Sequence, residues 1–283
     1  LFSPCGLYNS LSVPDRSHPR GAPSMTIAQL LPQQQAVAAE DLETPTFLTG
    51  PYGAGKTTTG VARLHHLLQT GTPPETILVL VPQRSLGQPY LDLQHTRRGL
   101  TPGQVKVQTL AGFARAMVDL FWPLIAGEAG FATPNQPPIF LTLETAQFFL
   151  AREVQPLMET EGYFSEVTLH PHRLYRQILD ALNKAAVVGF PHTDLSTRLN
   201  AAYEGDPALR GIYLQAQDCA VRFRTACLAN NLLDFSLTLE TFLQHIAPRP
   251  LFSGYRRRIV RHVIADNLEE DTPVAHDLLL EWL

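Results

Sequence analysis

Two patterns of apolar residues alternate along the chain and predict its elements. The run TILVLV at residues 76–81 is continuously apolar and rich in β-branched side chains, which is typical of a strand buried on both faces of a parallel sheet. Shorter extended runs predict further strands at residues 46–49, 105–109 and 259–265. Apolar residues at helical spacing predict helices at residues 26–39, 58–68, 110–121 and 277–283. The order of strand, helix and strand indicates an α/β fold.

The pattern changes between residues 115 and 230, where helical periods are broken by proline-rich loops. We therefore expect a helical insertion subdomain at 115–230 that interrupts a parallel sheet with helices on both faces. Residues 25–114 are predicted to form the first part of the sheet domain, and residues 231–283 to return to it.

Both ends of the chain differ from this pattern. Residues 1–24 contain four prolines and no periodicity, and regular pattern begins only after Met25, so we expect a disordered or non-native extension there. The helical pattern at 277–283 has no glycine cap. We expect the chain to be a piece of a longer protein.

Composition and charge exclude several classes of protein. With 45% hydrophobic residues among 283 the chain is globular, and its net charge of −4 gives no overall basic surface for nucleic acid. Cys5, Cys219 and Cys227 have no zinc-site or disulfide spacing, which favours a reducing cytoplasm. No apolar run approaches the roughly 20 residues that a membrane span needs. A cytoplasmic protein with no membrane contact is expected.

The octapeptide GPYGAGKT at residues 50–57 carries the strongest chemical information. It matches the phosphate-binding pattern G-x-x-x-x-G-K-[ST] and lies between a predicted strand and a predicted helix. Lys56 is expected to reach the β- and γ-phosphates, and the Thr57 hydroxyl to bind Mg²⁺. The contacts with the nucleotide are expected from Gly50, Gly53, Ala54, Gly55, Lys56, Thr57 and Thr58. A plain glycine-rich turn would leave the Lys-Thr pair unexplained.

An acidic cluster follows the last predicted strand. Asp266 at that strand's end is a candidate ligand for Mg²⁺, which prefers oxygen ligands, although an acid there also suits a helix N-cap. Glu269 and Glu270 are candidate catalytic residues beside Lys56 and Asp266. As acids in a first helical turn they would equally complement the helix dipole without catalysing anything.

Further segments in a fixed order resemble the UvrD/Rep and RecB/AddB group of superfamily 1 DNA helicases. They are LPQQQAV at 31–37, VPQR at 81–84, VQTLAGFA at 107–114, LLDFSLTL at 232–239, and YRRR at 255–258 followed by VIAD at 263–266. The resemblance implies a RecA-like ATP-binding domain with a helical insertion. It also implies that Gln33 reads the adenine edge and that Arg84 and Thr109 contact single-stranded DNA. Without the resemblance, Arg84 fits a solvated rim equally well.

The resemblance carries expectations about activity. It implies an ATP-dependent DNA helicase, in repair or recombination, whose Mg²⁺-ATP hydrolysis drives translocation on single-stranded DNA. The second RecA-like domain of the family is absent from these 283 residues.

One departure from the family pattern bears on mechanism. The family's catalytic Glu after the metal-binding Asp is replaced by Asn267, and an amide cannot accept a proton from water. Glu269 or Glu270 would have to take over that role. The alternative is an AddB-like scaffold that hydrolyses nothing and binds DNA and a partner subunit of a helicase-nuclease complex. A P-loop kinase or other NTPase unrelated to DNA is a further alternative.

Overall fold

The computed structural model describes residues 30–40, 45–96, 103–205 and 210–283. Within these ranges the chain is a mixed α/β protein, mostly helical, with a small parallel sheet of three strands. The expected extension at 1–24, and the first four residues of the helix expected at 26–39, lie outside the described residues.

The helices are α1 (Pro32–Ala39), α2 (Lys56–Gln69), α3 (Gln88–Thr96), α4 (Leu110–Ile125), α5 (Leu143–Thr160), α6 (Pro171–Val188), α7 (Leu195–Ala202), α8 (Arg210–Ala229), α9 (Phe235–His245), α10 (Pro250–Ile259) and α11 (Pro273–Trp282). The strands are β1 (Ile77–Leu80), β2 (Lys106–Gln108), β3 (Ile139–Phe140), β4 (Leu232–Leu233) and β5 (His262–Ala265).

The central strand β1 organises the sheet. It pairs in parallel with β2 on one side and with β5 on the other, so that Val79 lies opposite both Val107 and Ile264. All four residues of β1 are buried. Because side chains alternate along a strand, Ile77 and Val79 pack with α2 on one face, while Leu78 and Leu80 belong to the core on the other. The expected helices on both faces of a parallel sheet are therefore present.

The prediction of a strand at residues 46–49 is wrong. Residues 45–50 are exposed and have no regular structure, and the helix that follows begins at Lys56, two residues before the predicted start. Both edges of β1 are already occupied by β2 and β5, so a further strand would have to pair with the outer edge of β2 or of β5. Residues 45–48 line a groove together with β5 instead of pairing with it.

One element boundary and one pair of strands also differ from the sequence-based prediction. The last strand was expected to begin at residue 259, but α10 continues to Ile259 and β5 begins only at His262. The strand β3, inside the expected insertion, and β4, just after the expected end of the insertion at residue 230, form a short parallel pair that the pattern did not reveal. Two-residue strands are too short to show a periodicity.

The helical region and the sheet share one hydrophobic core. Leu78 and Leu80 of the sheet belong to the same buried cluster as residues of α4, α6, α8, α9 and α11. The expected boundary between residues 114 and 115 falls inside α4, which runs unbroken from Leu110 to Ile125. Residues 115–230 are mostly helical within the described ranges, and this helical region packs directly against one face of the sheet.

A buried ion network joins α8 to α9. The Arg224 guanidinium donates to Asp234 Oδ1 and to Ser236 Oγ, each at 3.0 Å, and lies 3.3 Å from Glu240 Oε2. Arg224 is 4% exposed and Asp234 is 3% exposed. Asp234 is also the N-cap of α9, since its Oδ1 accepts the Leu237 N–H at 2.9 Å. The Asp234 carboxylate thus pairs with the buried Arg224 guanidinium and also caps the N-terminus of α9.

No helix in the described part of the chain is long and apolar enough to cross a bilayer.

We expect Asp234→Ala to lower the free energy of unfolding by about 3 to 5 kcal/mol, because it leaves Arg224 buried with one carboxylate fewer and removes a helix cap. Urea denaturation followed by circular dichroism measures the change. Glu128→Ala breaks the exposed Arg249–Glu128 pair and serves as the control, with an expected change within about 1 kcal/mol. Equal effects of the two substitutions would contradict this reading of the network.

Candidate phosphate-binding site

The loop at residues 50–57 folds into a compact turn that ends on a helix. Gly53 and Gly55 have φ values of +78° and +84°, a region that residues with a Cβ rarely adopt. The Ala54 N–H donates to the Pro51 carbonyl at 3.1 Å, and Gly55 is the N-cap of α2. Free main-chain amides at a helix N-terminus attract anions, so the loop has the local form that a phosphate group requires.

Lys56, the first residue of α2, folds back across this loop. Its ammonium group donates to the Gly50 carbonyl at 3.0 Å and lies 3.1 Å from Glu269 Oε1. The cation is therefore held at the mouth of the loop by one contact within the loop and one from the segment after β5.

Glu269 lies in a 3₁₀ turn, Leu268–Glu270, that follows a left-handed residue, Asn267, with φ +57°. A hydrogen bond from the backbone and the nearby Lys56 ammonium lower the pKa of Glu269, so the group is a carboxylate at neutral pH. Its side chain is 58% exposed and can move away from Lys56 without leaving a buried vacancy. The Glu269 carboxylate therefore pairs with the same Lys56 ammonium group that a bound phosphate would contact.

Asn267 lies against α2, whereas the Asp266 side chain contacts α3. Asn267 Oδ1 lies 3.5 Å from Thr57 Oγ1, a long contact between two oxygen atoms. Asp266 is buried, with Oδ1 accepting its neighbour's backbone N–H and Oδ2 accepting the Tyr90 hydroxyl, both at 3.0 Å. Burial, together with the Asp266 charge, raises the pKa of Tyr90 well above its usual value.

The oxygen atoms near Thr57 suit a hard cation. The described residues contain no group of three or more His, Cys, Asp or Glu side chains that would hold a metal by themselves. Mg²⁺ does not need such a group, because it commonly takes one or two protein oxygens and completes its shell with phosphates and water. Thr57 and Asp266 on adjoining elements fit that requirement.

The remaining candidate residues lie in different surroundings. Gln33 is exposed on α1, and it is the next residue, Gln34, that reaches the loop by donating to the Ala54 carbonyl at 3.0 Å. Thr58 lies half-buried in the first turn of α2, and Glu270 is exposed with its Oε1 3.4 Å from the Asn267 amide nitrogen.

Arg84 and Thr109 follow two adjacent parallel strands. Arg84 is exposed just after β1, and Thr109 follows β2 directly. The Thr109 hydroxyl accepts the Gly112 N–H at 3.1 Å and so caps α4. Because parallel strands end at the same edge, both residues lie on the edge of the sheet where Asp266 follows β5.

The sequence pattern missed Gln34 and Tyr90. Three consecutive glutamines at 33–35 give no signal as to which one faces the loop, because that depends on how α1 lies against α2. Tyr90 is far from Asp266 in the chain and sits in a segment that carries no motif. Only its complete burial marks it, and burial of a single tyrosine cannot be read from the sequence.

A groove of about 540 Å³ adjoins the loop. Its lining combines basic and apolar side chains, among them Lys56, Arg63, Arg256, Arg261, Phe47, Leu48 and Trp282. Residues 262–269 form another part of its wall. The candidate site therefore opens into a cleft that is large enough for a small organic ligand.

No protein-family model matches this chain, and no curated protein matches its sequence. The functional interpretation consequently rests on the geometry of the site and on the sequence motifs.

We expect Glu269→Gln to tighten the binding of inorganic triphosphate by about twofold to fivefold, the range of an exposed ion pair. The amide no longer competes with phosphate for Lys56. Isothermal titration calorimetry of the chain with triphosphate measures the change. Glu270→Gln removes the same charge one residue away without touching Lys56, and we expect it to change the affinity less. Weaker binding to the Glu269→Gln variant would show that Glu269 supports binding instead of opposing it.

Proposed function

We propose that this chain binds Mg²⁺-ATP at the loop formed by residues 50–57. The observation that carries the proposal is the position of Lys56. This residue begins α2 just after Gly53 and Gly55, which both have positive φ, and its ammonium group faces the Glu269 carboxylate, which a phosphate group can replace. Main-chain amides, a helix N-terminus and one ammonium group together provide what a triphosphate tail requires.

Each residue of the site has a role in this proposal. The Gly50, Gly53, Ala54 and Gly55 backbone, continued by Thr58, would wrap the phosphates, and Lys56 would contact the β- and γ-phosphates once Glu269 has moved aside. Thr57 and Asp266 would hold Mg²⁺. When bound, the ion supplies positive charge that offsets the charge of the phosphate oxygens. Gln34, which already contacts the loop, joins Gln33 as a candidate for the nucleotide base.

We further propose a RecA-like domain of a superfamily 1 DNA helicase. The support is the parallel order of β2, β1 and β5, the loop and helix beside them, the acid after β5, and the helical region inserted before it. Arg84 and Thr109, on the same sheet edge, are proposed to contact single-stranded DNA. In the complete protein, closure of another domain on the nucleotide would couple hydrolysis to movement along DNA.

A non-hydrolysing scaffold of the AddB type is the second candidate function. It is favoured by Asn267, whose amide oxygen lies 3.5 Å from the Thr57 hydroxyl in the place where the family has a catalytic base. Glu269 pairs with Lys56, and Glu270 Oε1 lies 3.4 Å from the Asn267 amide nitrogen, so neither acid replaces Asn267 in its contact with Thr57. Such a subunit would bind nucleotide, DNA and a helicase-nuclease partner without a hydrolytic cycle.

We expect Lys56→Ala to weaken ATP binding roughly 100-fold, because it removes a charged hydrogen-bond donor from the phosphates. Calorimetric titration with Mg²⁺-ATP measures the loss. Lys184→Ala, which removes an exposed lysine from α6 in the helical region, is the control and should bind as the unchanged chain does. Retained affinity in the Lys56→Ala variant would contradict the site assignment.

The Asn267→Glu substitution separates the two candidate functions. For a motor, we expect it to raise the steady-state ATPase rate of the complete protein with single-stranded DNA by about 100-fold, since it restores a general base. Asn267→Gln lengthens the side chain without adding a base and should leave the rate low. A rate that stays at background in the unchanged protein and in the Asn267→Glu variant would retire the motor in favour of the scaffold.

A further inference from the structure

Three elements converge on one buried hydroxyl group beneath the candidate site. Tyr90 of α3 is completely buried and donates its O–H to Asp266 Oδ2 at 3.0 Å. The hydroxyl reaches the acid by passing against α2 at Gly60. The contact joins α3 to the end of β5, although the two residues are 176 positions apart in the chain.

Gly60 makes this approach possible. A Cβ added at position 60 would lie 2.2 Å from the Tyr90 hydroxyl oxygen and 3.3 Å from the ring carbon that carries it. Real Cβ contacts under about 3.0 Å do not occur, so any larger residue would force the hydroxyl away from its partner. A glycine within a helix costs roughly 1 kcal/mol relative to alanine, and the space it leaves for the hydroxyl gives it a structural role here.

The two hydrogen bonds orient the Asp266 carboxylate and use only some of its lone pairs. A carboxylate has about four lone-pair positions, of which the Asn267 N–H and the Tyr90 O–H use two. Among the described residues no other hydrogen bond to this carboxylate is formed, which leaves lone pairs for a cation. Because the Tyr90 hydroxyl donates to Oδ2, turning the carboxylate away from this donor would lose a buried hydrogen bond.

We propose that Tyr90 is a positioning residue for Asp266. It holds the carboxylate in the orientation from which Asp266 binds the Mg²⁺ of Mg²⁺-ATP, and Gly60 is the residue that admits it. This inference rests on the proposed nucleotide site and adds to it a residue outside every motif of the sequence.

The test compares nucleotide affinity with and without the cation. Binding of a fluorescent ATP analogue is measured in EDTA and across a Mg²⁺ titration, for the unchanged chain and for Tyr90→Phe. We expect Tyr90→Phe to bind the analogue in EDTA within about twofold of the unchanged chain. We expect the tightening caused by Mg²⁺ to fall by about tenfold or more, the usual effect of losing a partner of a metal ligand.

Tyr163→Phe provides a matched control. The Tyr163 hydroxyl donates to the Asp218 carboxylate at 3.1 Å, so the substitution removes the same kind of contact in the helical region. It should leave the Mg²⁺ dependence unchanged. A tightening by Mg²⁺ that survives in Tyr90→Phe would overturn the inference while leaving the nucleotide site intact. An unchanged chain that binds no nucleotide would overturn the proposed function, and the inference with it.

A double-mutant cycle tests the role of Gly60 without any ligand. Gly60→Ala in the unchanged chain should lower the thermal unfolding midpoint, because it displaces the hydroxyl. In the Tyr90→Phe background the same substitution should lower the midpoint less, since the closest clashing atom is gone. Equal shifts in both backgrounds would show that Gly60 does not serve the hydroxyl and would overturn that part of the proposal.

Discussion

The fold depends on the complete burial of β1. Its side chains alternate between two faces, so each face must be covered by apolar residues, and α2 covers one while the helical region covers the other. Burial of β1 also requires a strand on each side, which brings β2 and β5 into parallel register with it. The N-terminus of α2, the end of β5 and the segment after it are thereby brought to one edge of the sheet.

The charged side chains at this edge lie in different surroundings. Lys56 is paired with the exposed Glu269, whereas Asp266 is buried and held by hydrogen bonds from Asn267 and Tyr90. The two carboxylates differ in what they can do. An exposed pair exchanges with water at little cost, so Glu269 can yield to a phosphate group, while Asp266 is held in one orientation by its surroundings.

The helical region and the sheet form one continuous hydrophobic core. This core continues from Leu78 and Leu80 without a break, and the buried pair of Arg224 and Asp234 fixes how α8 meets α9. Removing one member of such a pair leaves a charge without its partner in a medium that cannot solvate it. α9 packs on α4, and α4 follows β2, so direct packing connects this pair with the sheet.

The sequence by itself determined the elements whose signal is local. Glycines at 53 and 55 followed by Lys56 specify the loop, and the TILVLV run specifies a buried strand, because each pattern depends only on neighbouring residues. Tertiary structure alone decided which residues meet. Residues 46–49 did not become a strand because a strand needs a partner, Gln34 faces the loop in place of Gln33, and Tyr90 reaches Asp266 from a distant segment. Such contacts depend on how whole elements pack, which no short window of sequence contains.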